Sequence, residues 1–182
     1  MWPSVFTTLS WSWQPKPGDL GGKAAEPYAS ALPPLISVRQ GGVMDAKVKE
    51  AIYQQVAREP FCQKFGLQLV ELDEGYSKVE MTFTPDMENM LGMAHGGALF
   101  ALIDEAFETA SNSHGTVAVA LNMNITYVSS PAPGSRLMAE AREFSRTNKT
   151  ANYDIKVVDQ QGNLLVSCQS LVYRKGIPLP FL

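Results

Sequence analysis

One stretch limits what this chain can become. From Ala94 to Gly115 the apolar residues Leu99, Leu102, Ile103, Ala106, Phe107 and Ala110 recur at the i, i+3, i+4 interval of a helix face. At about 1.5 Å per residue such a helix is near 30 Å long, enough to cross a small domain. Its apolar stripe must be covered, and four strand-like runs follow to cover it. Val117, Val119, Leu121, Met123, Ile125 and Tyr127 alternate with the residues between them, and Pro131 to Gly134 makes a turn. Leu137, Ala139 and Ala141 begin a second run. Tyr153, Ile155 and Val157 belong to a third, closed by Gln161-Gly162-Asn163, and Leu164, Val166, Cys168, Ser170 and Val172 form the last. Strands joined by short turns make an antiparallel sheet. The expected fold is α+β: a curved antiparallel sheet wrapped around one long central helix.

Upstream, Val48, Ala51, Ile52 and Val56 fall at helical spacing and predict a short amphipathic helix ending before Pro60, pinned to the core by Phe61 and Phe65. Leu67 and Leu69, then Val79, Met81 and Phe83, flank Asp73-Glu74-Gly75 and read as a hairpin. Residues 1–43 differ from the rest. They hold three Trp, six Pro, five Gly and five Ser without helical or strand periodicity, which predicts an irregular N-terminal extension. No basic segment leads into an apolar run, as a secretory signal needs, and Arg39 is the only arginine there, too few for a transit peptide. The domain is expected over residues 44–176, with an irregular tail at 177–182.

At 182 residues, 45% hydrophobic and 18% charged, the chain is long and apolar enough for one cored domain. A net charge of −3 argues against a nucleic-acid partner, which calls for a basic face. No run approaches 18 consecutive apolar residues, so no membrane span is expected. Cys62 and Cys168 lie far apart and form neither a metal-type spacing nor a disulfide framework; a reducing, cytoplasmic setting is the simplest expectation.

The segment from Asn89 through His95-Gly96-Gly97 to Asp104 concentrates the chemistry. Glycines at a helix start leave backbone N–H groups open to a ligand oxygen, which suits a developing oxyanion; equally, they permit a tight turn into the helix. On the helical wheel Asp104 is the acid nearest the apolar border, with Glu105 and Glu108 on the face turned away. Asp104 is then either a partly desolvated base or a solvated acid at the rim. His95 reads as a loop-holding residue or as a proton carrier, and His114 as a residue suited to the helix C-terminus. The two histidines lie at opposite ends of one helix, so no metal site is expected. Arg146, Lys149 and Thr150 interrupt two strands, either as phosphate ligands or as a polar hairpin loop.

Together, Asn89, the His95-Gly96-Gly97 triplet and its spacing to Asp104-Glu105-Ala106-Phe107 resemble the hotdog-fold acyl-CoA thioesterases, most closely the phenylacetic-acid-degradation group. The resemblance runs from about Glu59-Pro60-Phe61 to Tyr173 and includes Phe65-Gly66-Leu67, the Glu71 to Tyr76 turn, Asn122-Met123-Asn124-Ile125-Thr126-Tyr127 and Pro133-Gly134. It implies that Asp104 is the catalytic acid, as general base for water or as a nucleophile forming an anhydride. It implies that Gly96 N–H polarises the thioester carbonyl and that Asn89 positions water or thioester. It also implies a site between two subunits of a homodimer, with dimers pairing into tetramers, and coenzyme A as part of the substrate rather than a cofactor. His95, Gly97, Phe100, Phe107, Asn122, Arg146, Lys149 and Thr150 are expected to contact the substrate. One position departs: some relatives carry Ser or Thr where this chain has Ala120, and Asn122 is the candidate substitute. Aryl-acetyl, hydroxybenzoyl and medium-chain acyl groups fit equally. Two competing readings are a hotdog enoyl-CoA hydratase or dehydratase pairing His95 with an acid, and a non-catalytic acyl-CoA-binding module.

Overall fold

The computed structural model describes residues 44–182; the expectations placed on residues 1–43 lie outside them. Helix α1 spans Ala46–Val56 and starts where the Asp45 carboxylate accepts from Lys47 N at 2.8 Å and Val48 N at 3.3 Å. Helix α2, Pro60–Phe65, was not expected as a helix. Pro60 occupies its first turn, where no amide proton is needed, and Gly66 ends it at φ 64°. Phe61 does not pin the core: it is 46% exposed and stacks on Phe65 with centroids 4.9 Å apart, while Cys62 is the buried residue of α2.

Strands β1 (Gln68–Asp73) and β2 (Tyr76–Thr82) form the expected hairpin, and helix α3 runs Gly96–Asn112, inside the wider span expected. Then come β3 (Thr116–Tyr127), β4 (Arg136–Arg146), β5 (Thr150–Asp159) and β6 (Leu164–Pro178). All pairings are antiparallel, in the order β1-β2-β4-β5-β6-β3. This is the expected hotdog architecture. The six apolar residues that define the α3 stripe are all buried. They meet Val79, Met81, Leu137, Ile155, Val157 and Val166, with Ala139 and Ala141 in mid-strand and Ala151 at the start of β5, all fully buried. Small side chains there let the helix sit close to the sheet. Ser77, fully buried, is satisfied by donating to Ala106 O at 2.6 Å.

Two expectations need correction. The alternation along β3 does not put Val117 to Tyr127 on one face, because the register shifts between Ala120 and Asn122. An extra residue in one strand flips every later side chain. Ala118 and Ala120 therefore share the inner face with Met123, Ile125 and Tyr127, whose partners on β6 include buried Val172, Ser170, Cys168 and Val166. Val119 and Leu121 turn outward, 38% and 58% exposed. The second concerns residues 177–182: β6 continues to Pro178, and Leu179 is 5% exposed, its N–H donating to Gly115 O at 3.2 Å. Among the described residues no helix is long and apolar enough to cross a membrane.

Candidate active site

The start of α3 is built by the loop before it. Asn89 closes that loop on itself. Its N–H donates to Met93 O at 2.8 Å, and its Oδ1 accepts from Leu91 N at 2.8 Å and Met93 N at 3.2 Å. Only a long 3.5 Å contact to Ala94 O engages its amide nitrogen, which leaves Nδ2 protons to offer. His95 is the cap of α3: its N–H donates to Met87 O at 2.9 Å, and its Nδ1 accepts from Gly97 N at 2.9 Å. A ring nitrogen that accepts carries no proton, so one of the two imidazole nitrogens is committed to the cap.

The two glycines are thereby distinguished. Gly97 N–H is spent on His95, whereas Gly96 N–H has no partner among the described residues and points out of the positive end of a helix. Both positions are also tight for a side chain. A Cβ at Gly96 would lie 3.2 Å from the Tyr127 ring, and one at Gly97 would lie 3.0 Å from His95 Nδ1. Tyr127 O–H donates to Gly96 O at 3.1 Å, tying the end of β3 to the helix start. The sequence reading missed this role of Tyr127, which no spacing within the chain announces.

Asp104 lies two turns further along. It is half-buried, forms no hydrogen bond among the described residues, and is held above the ordinary carboxylate range by loss of solvation. Of the two environments left open, the partly desolvated one is found. It lies within electrostatic reach of Cys168 on β6, the strand next to the open β3 edge. Glu105, read as turned away from the apolar stripe, is instead 3% exposed, because α2 covers that side of α3 and Cys62 Sγ donates to Glu105 Oε2 at 3.0 Å. The wheel recorded only the face packed on the sheet and had no term for a second layer behind the helix.

The other expected residues scatter. Phe100, 37% exposed, flanks the accessible side of α3. Phe107 belongs to the core rather than to a pocket wall: it is 1% exposed and meets Tyr153 edge-on at 5.4 Å. Asn122 pairs with Leu171 and so faces away from Ala120 and the helix, which removes it as the substitute for a hydroxyl there. Arg146 sits at the far end of α3, about 25 Å from Gly96. It is neutralised there, ion-paired to Glu74 at 3.2 Å and Glu143 at 3.4 Å. Both glutamates also hold His114, at 2.9 Å and 2.7 Å. Thr150 Oγ1 is 3.0 Å from Thr147 Oγ1, and Lys149 Nζ hangs 5.9 Å over the Tyr173 ring. Among the described residues this segment is a polar hairpin in which Arg146 has carboxylate partners and Lys149 has none.

The free donor at Gly96 and the unbonded carboxylate at Asp104 are the two groups suited to acyl transfer. Eight residues of helix separate them, about 12 Å along the axis. One reacting carbonyl cannot touch both at about 3 Å, as an oxyanion donor and a base require.

A model of the thioesterase superfamily matches residues 91–166. The acyl-coenzyme A thioesterase PaaI of Escherichia coli strain K12 is 32% identical over 133 residues, covering 73% of this chain and 95% of the relative. The structure of the E. coli PaaI protein from the phenylacetic acid degradation operon superposes with a TM-score of 0.71 at 30% identity, over 74% of this chain and 98% of that one. A Streptococcus mutans protein bound to acetyl CoA superposes with a TM-score of 0.60 at 26% identity, over 62% of this chain and 91% of that one.

Proposed function

The chain belongs to the thioesterase superfamily as a PaaI-like thioester hydrolase, and from that membership we propose that it hydrolyses acyl-coenzyme A at a site shared by two copies of itself. Asp104 of one subunit faces Gly96 and Asn89 of the partner subunit. The observation that carries this reading is the 12 Å gap within one helix. A two-fold axis that sets two α3 helices side by side in opposite directions brings each Asp104 toward the other helix's start. The open β3 edge, with Val119 and Leu121 turned outward, is the surface that such pairing would cover. Dimers pair again into tetramers, and a reducing cytoplasmic setting suits the two free cysteines.

The chemistry needs few groups. Asp104 takes a proton from water as the water oxygen attacks the thioester carbon. Charge gathering on the carbonyl oxygen is met by Gly96 N–H, and the Asn89 amide orients the incoming water. The C–S bond breaks, and the proton held by Asp104 passes to the departing coenzyme A thiolate. General base catalysis contributes about 10²–10⁴ and one oxyanion donor about 10²–10³. Desolvation serves this role, since a raised pKa makes Asp104 a stronger base than a surface aspartate. Coenzyme A enters as substrate, and the acyl group is drawn from the aryl-acetyl, hydroxybenzoyl and medium-chain classes. His95 Nδ1 accepts from Gly97 N at 2.9 Å, so that nitrogen is committed to the helix cap rather than free for the proton transfers a hydratase needs.

Thiol release from a panel of acyl-CoAs tests the reading, with wild type and Asp104→Ala run together. We expect turnover by wild type and a loss of at least about 10² in kcat for the variant, with folding and assembly intact. Equal turnover by both would remove Asp104 from the mechanism. Tight acyl-CoA binding without turnover would make the protein a binding module, and water addition to an enoyl-CoA would make it a hydratase.

A further inference from the structure

Behind α3, away from the sheet, the structure gathers acids without a counter-charge. Glu105 is 3% exposed; one of its oxygens accepts the Cys62 S–H bond, and the other, Oε1, has no partner among the described residues. Buried carboxylate oxygens are rarely left so, because losing water without gaining a donor is costly. Glu59, Asp104 and Glu108 all act electrostatically on Glu105, yet none of these four acids forms an ion pair among the described residues. Glu59 stands just before Pro60 at the start of α2, and Cys62 follows one helical turn later on the same side. Glu59, Cys62 and Glu105 each offer one ligand atom, and the three atoms lie within 4.8 Å of one another.

We propose that Glu59, Cys62 and Glu105 form a binding site for a divalent cation of zinc type, which ties α2 to the back of α3. The donor set selects the ion. One sulfur and two carboxylate oxygens suit zinc, which takes both donor types at about 2.0–2.3 Å in tetrahedral geometry, whereas magnesium and calcium prefer oxygen alone. Three protein ligands leave a fourth position for water. On binding, the Cys62 S–H bond breaks, its proton leaves to solvent, and the sulfur's electron pair goes to the metal. No oxidant or reductant is involved. The cation then supplies the positive partner that Glu105 lacks, in place of the Cys62 S–H bond that its Oε2 gives up. The site does not depend on the thioesterase reading and asks nothing of Asp104 as a ligand.

Titration of the metal-stripped full chain with Co²⁺, followed by Zn²⁺, tests it. Thiolate-to-cobalt charge transfer gives near-ultraviolet absorption that neither a carboxylate nor a thiol produces. The expected result is absorption that saturates near one equivalent, collapses when Zn²⁺ is added, and is absent in Cys62→Ser. Glu105→Gln, which keeps the thiol and the shape, is expected to weaken Co²⁺ binding at least about tenfold. If Cys62→Ser fails to fold, Glu105→Gln decides. Zn²⁺ should also raise the Tm of wild type and not of Glu105→Gln. No absorption in wild type, the same absorption in Cys62→Ser, or unchanged affinity in Glu105→Gln would each overturn the site. Cys168, 3.2 Å from Ser170 Oγ, serves as the internal control.

Discussion

Adjacent glycines at 96 and 97 look interchangeable in sequence and are not so in structure. A methyl group at Gly97 presses on His95 Nδ1 and breaks the cap, while one at Gly96 presses on the Tyr127 ring beside the free donor. Gly97→Ala should therefore lower stability by about 1 kcal/mol, the cost of a lost helix cap, with kcat nearly kept. Gly96→Ala should lower kcat with little change in Tm, and parallel melting and kinetic measurements check the split. Glu105 gives a second residue-scale prediction, for metal-free protein in chelator. Burial, followed by the neighbouring acids, pushes its pKa up from 4.5 to about 7, against the opposing hydrogen bond from Cys62. The folded chain thus holds a proton that the unfolded chain has released. Stability should fall as pH rises from about 4.5 to 7, by about 3 kcal/mol in all, and level off above. Glu105→Gln keeps an acceptor for Cys62 and removes that dependence, so denaturant melts should find it more stable than wild type at pH 8 and alike at pH 4. The half-buried place of Asp104 was legible in sequence because its position on the wheel is a property of one helix. Glu105 was not, because its environment comes from a residue 43 positions away.

The elements were mostly legible because each has a period of its own. The α3 stripe, the β1–β2 turn and β4 to β6 follow from apolar spacing and turn chemistry. What misled was β3, where one extra residue between Ala120 and Asn122 breaks the period. A bulge carries no composition signal here, since Ala, Leu and Asn all occur on either face of an edge strand. The short helix α2 also escaped notice, being a single turn and a half flanked by Pro60 and Gly66. The alanines of the sheet have their own meaning. Ala139 and Ala141 on β4 and Ala151 on β5 are fully buried beneath α3. A Leu at Ala141 has no space and must push the helix off the sheet. Ala141→Leu should cost about 1–3 kcal/mol, measured by chemical denaturation.

At the scale of the molecule, the resemblance of Asn89, His95-Gly96-Gly97 and Asp104 carried the shared site into the sequence reading, and the spacing of Gly96 and Asp104 on one helix is what the proposal of a shared site rests on. The site can be tested by mixing two dead proteins. Asp104→Ala keeps a sound helix start, and Gly96→Val keeps a sound base. Unfolded, mixed and refolded together, they should recover about one quarter of wild-type activity, since about half the dimers are mixed and each mixed dimer has one intact site. No recovery, despite mixed dimers on native mass spectrometry, would place the whole site within one chain. A helix that bears a donor at its start and a base 12 Å along it has a consequence for physiology as well. On the shared-site reading a lone chain holds both halves of the chemistry and can perform none of it. Turnover per molecule then depends on how crowded the molecules are: diluted below the dissociation constant of its dimer, the protein loses activity with every fold intact and every residue in place.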